Sequence, residues 1–306
     1  MSELALALAA VLSAGTLLAL ASLGLLVHER AGVVNLGAEG MLLLSALAGY
    51  AVCEGTESQL LGFVAAACAG ALAAALFGVL AVLLATNQYA TGLALSLFGA
   101  GLSAFAGTRY TDRTLVARPH FDWFGLSELP LIGPALFKQH PLVYLTILLG
   151  FGLAWFFKHA RLGLVLRAAG ESPESAHALG YDVQRVRMLA VIVGGALCGL
   201  SGGYLSLVYT PLWVEGISAG RGYIALALTT FASWRPLRVL LGAYLFAGVT
   251  TLQFHLQGHG VAIPSQALSM LPYLSTIVVL ALISRDASFV RRNMPAALGK
   301  PFSKTA

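Results

Sequence analysis

Acidic side chains are almost absent from the apolar stretches of this chain, which makes Glu39 the first residue to consider. It follows Asn35 by four positions in HERAGVVNLGAEGM, residues 28–41. On a helix that spacing sets an amide and a carboxylate on one face, where they can clamp a neighbouring segment or hydrogen-bond a passing polar solute. Asn87 and Gln88 stand just before another apolar run, where they offer donors and acceptors to a neutral ligand or simply sit at an interface. Phe98, Tyr204, Tyr209, Trp213 and Tyr244 could stack on a flat ring, although aromatic residues near span ends equally serve as interfacial anchors. His255 and His259 have no third ligand nearby, so no metal site is expected. Cys53, Cys68 and Cys198 show no C-x-x-C spacing and read as small packing residues. The chain contains no G-x-x-x-x-G-K-S/T phosphate loop, so nucleotide energy would have to come from another chain. No cofactor is expected, and no nucleophile-base set marks an enzyme.

The elements that must hold these residues are membrane segments. Of 306 residues 58% are hydrophobic and only 10% charged, a balance far too apolar for a soluble domain. The net charge of +5 is spread through loops beside apolar spans, with no interleaved aromatic-basic patch, so nucleic acid is not an expected partner and membrane lipid is. A helix needs roughly 20 apolar residues to cross, and the windows 4–27, 42–52, 60–85, 92–106, 141–157, 188–209, 223–233, 239–256 and 267–284 give an all-α, polytopic transmembrane bundle of about 8–10 segments. The N-terminal run carries Glu3 instead of a basic n-region and reads as the first span, not a signal peptide. Two windows are interrupted: the second begins as a broken helix near Asn35, and 223–233 is too short to cross alone. The fourth, 92–106, is also short enough to suggest a half-helix. Both 32–52 and 216–233 join a glycine-rich polar approach to a shortened apolar run, as in transporters built from repeats around a cavity. The run 188–209 carries Gly194, Gly195, Gly199, Gly202 and Gly203, a nearly bare face for close helix contact.

The stretch 158–187 is strongly polar and contains a short helix defined by local rules. Ser172 is the N-cap, Pro173 suits the first helical position, and Gly180 can take the left-handed turn beyond Leu179. Basic residues surround it, and most of the 18 lysines and arginines fall on the same side if the N-terminus is external and the C-terminus internal. Arg109, Arg113, Arg118, Lys138 and Arg221 are the exceptions, all but the last in the long loop 107–140. We expect one transmembrane domain over 1–306, with 158–187 as a cytoplasmic loop and 285–306 as a basic cytoplasmic tail.

The run RAAGESPESAHALG, 167–180, resembles the cytoplasmic coupling loop of ABC-importer permeases that move branched-chain amino acids, simple sugars and nucleosides. Three further stretches resemble the nucleoside-type members: ERAGVVNLGAEGM at 29–41, NQYATGLALSLFG at 87–99 and ISAGRGYIAL at 217–226. The resemblance implies a bacterial inner-membrane permease that hydrolyses nothing itself. Its partners would be ABC ATPase subunits, a second and different permease, and an external substrate-binding protein. Carried over residue by residue, Glu171, Ser172, Pro173, Glu174, Ala176, Leu179 and Gly180 would couple to the ATPase. Asn35, Glu39, Asn87, Gln88, Phe98 and Tyr204 would lie along the solute pathway. A nucleoside or similar small polar solute is the expected cargo, with simple sugars or branched-chain amino acids as alternatives. An ion-coupled secondary transporter is a weaker competitor, because such machines need intramembrane carboxylates or histidines that this chain mostly lacks.

Overall fold

The computed structural model describes residues 3–111, 113–115, 136–258 and 293–302, with isolated positions between 264 and 278. Its described residues form ten α-helices and no strand: α1 (Glu3–Arg30), α2 (Ala38–Thr56), α3 (Gln59–Gly78), α4 (Gln88–Gly107), α5 (Pro141–His159), α6 (Arg161–Glu171), α7 (Pro173–Ala178), α8 (Val183–Tyr204), α9 (Arg221–Phe231) and α10 (Pro236–Gly258). Wider π-helical turns, Val79–Leu83 and Leu205–Tyr209, prolong α3 and α8. Among the described residues six stretches are long and apolar enough to cross a membrane: Ala5–Arg30, Gln59–Leu83, Gln88–Tyr110, Pro141–His159, Val183–Tyr209 and Pro236–Gly258. Helices satisfy their own backbone groups where no water is available, which is why the described residues of so apolar a chain are mostly helical.

α1 is the axis of the bundle. From Leu17 to Arg30 its side chains are buried on every face, as expected for a helix that is apolar all round, and α8, α10 and α9 pack against it. The glycine face of α8 works as its composition suggests. A Cβ added to Gly199 would meet the Ala67 Cα at 3.0 Å, and one on Gly70 of α3 would meet the Gly199 Cα at 2.6 Å. Neither backbone can retreat, so α3 and α8 cross in near-contact because both carry glycine there. Leu60, Leu72, Leu97, Phe105, Leu148, Trp155, Leu241 and Phe254 point outward instead, a belt suited to lipid or another membrane subunit.

Several expectations change. α1 does not stop at Val27 but continues through His28, Glu29 and Arg30, which the bundle buries. Asn35 is not on a helix: 31–37 is an irregular turn and α2 begins at Ala38, so Asn35 and Glu39 share no helical face. α4 is no half-helix, because its capped start at Asn87 lengthens it to 20 residues. The polar loop 158–187 contains, besides its short helix, an 11-residue amphipathic helix, α6, that the basic residues had masked. Arg221, read from sequence as part of the polar approach, instead opens α9, an 11-residue helix roughly 16 Å long. Arg118, Pro119, Asp122, Glu128, Pro130, Pro134, His259, most of the expected span 267–284 and the tail residues 285–292 and 303–306 lie outside the described residues.

Candidate functional site

Three places bring candidate residues together, and the first is the basic end of the bundle. Ser172 caps α7 by accepting a hydrogen bond at Oγ from the Ser175 N–H at 3.3 Å, Pro173 occupies the first turn, and Gly180 takes φ +88° just beyond Leu179. Pro173 and Ala176 face inward, where Ala176 packs with Ala169, Val183 and Phe302. Glu174, His177 and Leu179 face outward, the last 76% exposed. Ala176 is therefore a packing residue behind the surface that the other side chains present. The tail is part of this end: Ala297 N–H donates to the Gly170 carbonyl at 2.9 Å, Ala296 N–H to Glu171 Oε2 at 3.2 Å, and Gly299 N–H to the Gly32 carbonyl at 3.1 Å. Buried Arg187 ties the pieces together by donating to the carbonyls of Ala31, Lys300 and Ala169.

The second place is where the two interrupted segments meet. Glu39 Oε1 accepts from Ser218 Oγ at 2.6 Å and Gly220 N–H at 2.8 Å, and its Oε2 accepts from Gly222 N–H at 2.7 Å. One carboxylate thus occupies the start of α9, where unpaired N–H groups and the helix dipole favour a negative charge. Gly216, Ala219 and Gly220 hold positive φ on the approach. Asn35 Oδ1 accepts from Gly37 N–H at 2.8 Å, and Gln88 Oε1 from Val34 N–H at 2.8 Å, so both brace the 31–37 turn. Asn87 caps α4, accepting from the N–H groups of Tyr89 and Ala90. Of the aromatic candidates, Phe98 lies on the exposed face of α4, Trp213 and Tyr204 are buried, and Tyr204 pairs its hydroxyl with Ser13 Oγ at 2.9 Å. The oxygens of Asn35, Glu39, Asn87 and Gln88 are thus spent mainly on backbone N–H groups, while the buried Gln88 Nε2 has no hydrogen-bond partner among the described residues.

The third place was not legible as a site. A cavity of about 360 Å³ lies between α1, α9 and α10, lined by Leu17, Tyr209, Arg221, Phe246, Thr250 and Gln253 among others. Arg221 stands over the Tyr209 ring, 5.7 Å from its centroid, and donates to the carbonyls of Ile217 and Ser218. The available signal was Arg221 itself, a charge isolated at the head of a short apolar run. Among the described residues no group of three or more His, Cys, Asp or Glu side chains could hold a metal.

A family model described as branched-chain amino acid transport system / permease component matches residues 7–283. A putative glucose ABC transporter permease of Haloferax volcanii is 39% identical over 96% of this chain and 96% of its own length. A guanosine ABC transporter permease of Bacillus subtilis is 30% identical over 94% and 93% of the two chains, and a nucleoside ABC transporter permease of Lactococcus lactis is 33% identical over 85% and 86%. No solved structure matches. Six long apolar spans among the described residues, two interrupted segments joined at Glu39 and an end-to-end match to permeases lead to one conclusion: the chain belongs to the branched-chain amino acid transport permease family and is a membrane-spanning permease subunit of an ABC transporter.

Proposed function

We propose that this permease, in a bacterial inner membrane, imports a nucleoside or similar small polar solute handed over by an external binding protein. It pairs with a second, different permease, and the pair rests on two ATPase subunits that hydrolyse the ATP, this chain performing no catalysis. The observation that carries the reading is α7: a capped, two-turn helix at the basic end of the bundle with Glu174, His177 and Leu179 outward and Pro173 and Ala176 seated on the membrane helices. Seated in an ATPase groove, α7 would pass the ATPase's closure through its buried face to α6 and to Val183, the first residue of α8. α8 runs unbroken from there to the outer side, so a push at its base can rock the bundle between inward and outward access.

The test is co-purification of the assembled complex with uptake in vesicles. Leu179→Asp and Glu174→Arg are expected to weaken ATPase association about 30-fold, the loss of one interface hot spot, with membrane insertion unchanged. Full uptake with both substitutions present would remove α7 from the mechanism. A sugar cargo is the second reading, favoured by the 39% identity to the putative glucose permease. Competition between unlabelled glucose and guanosine for uptake separates the two.

A further inference from the structure

We infer that the cavity between α1, α9 and α10 is a solute site that receives the flat, carbonyl-bearing base of a nucleoside. The inference rests on the import reading above and names the part of the cargo that the membrane domain grips. Depth is the first argument. Arg221, at the head of the half-helix, floors the cavity, while Thr250 and Gln253 lie roughly 20–25 Å along α10 from its internal end. Leu17 places α1's contribution at a similar height. The cavity therefore occupies mid-membrane and the outer half, on the side from which a binding protein would deliver. The irregular, positive-φ backbone of Gly216, Ala219 and Gly220 leads to it, and such backbone is tolerated at membrane depth only beside a cavity or within protein.

Chemistry is the second argument. Gln253 is only 7% exposed and lines the cavity, yet its amide makes no hydrogen bond among the described residues. A buried amide without a partner is costly, and a ligand edge carrying both a donor and an acceptor would satisfy it. Arg221 has no carboxylate within ion-pair distance among the described residues, and two bonds to backbone from one terminal nitrogen leave other N–H groups available. The Tyr209 ring, with the Arg221 guanidinium 5.7 Å over one face, is an aromatic surface of the kind on which unstacked bases stack. Thr250 spends its proton on the Phe246 carbonyl at 3.0 Å and keeps oxygen lone pairs for a donor. The remaining walls, with Leu17, Leu18, Ile224 and Phe246, are apolar. Apolar walls suit the faces of a heterocycle, whereas a hexose presents hydroxyls all round its ring and would leave most of them unpaired there. The volume of about 360 Å³ is at the small end of ligand pockets and admits one such solute.

The test uses the whole transporter in proteoliposomes, with radiolabelled guanosine and glucose as separate probes. Tyr209→Leu and Gln253→Leu are each expected to raise the transport KM for guanosine about ten-fold, near the loss of one base-stacking contact, while Tyr209→Phe stays near wild type. Membrane insertion and ATPase co-purification should be unchanged in all three, which a merely structural role would not preserve. As an independent readout, Thr250→Cys should react with a water-soluble maleimide and be protected by guanosine. An unchanged guanosine KM in Tyr209→Leu and Gln253→Leu, or labelling that guanosine does not slow, overturns the site. Wild-type vesicles that take up no guanosine overturn the assigned class. Failure of the coupling reading would appear elsewhere, as undiminished ATPase association in the α7 variants.

Discussion

At the scale of single residues, several buried polar groups hold irregular backbone in place. Glu39 is the clearest case, since its carboxylate satisfies three donors from the approach to α9. An amide at that position offers one acceptor oxygen and loses the charge. Hydrogen bonds to charged groups contribute about 1.5–3 kcal/mol each, so Glu39→Gln should lower the melting temperature of the detergent-solubilised complex measurably. If Glu39 instead met the solute directly, the same substitution would shift the uptake KM and leave the melting temperature alone. Glu29 does comparable work at the basic end, accepting from Trp234 Nε1 at 2.5 Å and Thr229 Oγ1 at 3.0 Å. These bonds, with Arg30 donating to the Trp234 carbonyl, hold Ser233 and Trp234 at φ 51° and 54°. Non-glycine residues adopt that conformation only where their surroundings impose it.

At the scale of elements, close approach decides which helices can touch and which turns can close. Gly199 on α8 faces the backbone of Ala66 and Ala67 on α3. Gly199→Val would force the two helices apart, at a cost of about 1–3 kcal/mol for overpacking, and thermal denaturation in detergent should register it while insertion persists. Gly180 is the opposite kind of glycine. Nothing lies within 4 Å of a Cβ there, but φ is +88°, so Gly180→Ala costs about 1–2 kcal/mol through backbone strain alone. That strain acts on the exit from α7, and the expected outcome is weaker ATPase co-purification with little change in bundle stability. A variant that binds the ATPase normally would show that the turn relaxes without moving α7.

At the scale of the whole molecule, the basic end is a single braced unit made from distant parts of the chain. The 31–37 turn, α6, the start of α8 and the tail segment 293–302 are tied by Arg187 and by backbone bonds from Ala297 and Gly299. Removing residues 293–306 would leave buried Arg187 without its Lys300 carbonyl and take Phe302 away from Ala176. Such a truncation should insert normally and bind ATPase subunits more weakly, which co-purification and vesicle uptake would report together. Full coupling without the tail would show that α6 and α8 brace α7 unaided.

The sequence by itself determined the class of molecule, because uncharged windows of crossing length leave the backbone no alternative to helices. It determined α7 as well, since its cap, proline and terminal glycine act within a few residues of one another. The shortened run at 223–233 was legible for the same local reason, while α6 was hidden by its charges and α4 by a cap that lengthened it beyond its apolar core. What only the tertiary structure decided are the relations between residues far apart in the chain: that Glu39 closes on the loop at 218–222, that Ala176 faces inward, and that Tyr209, Arg221 and Gln253 surround one cavity. Spacing along a chain specifies which side chains share a face, but the partner of that face is set by how close two helices can come, and in this bundle bare glycine backbones on different helices settle that distance together.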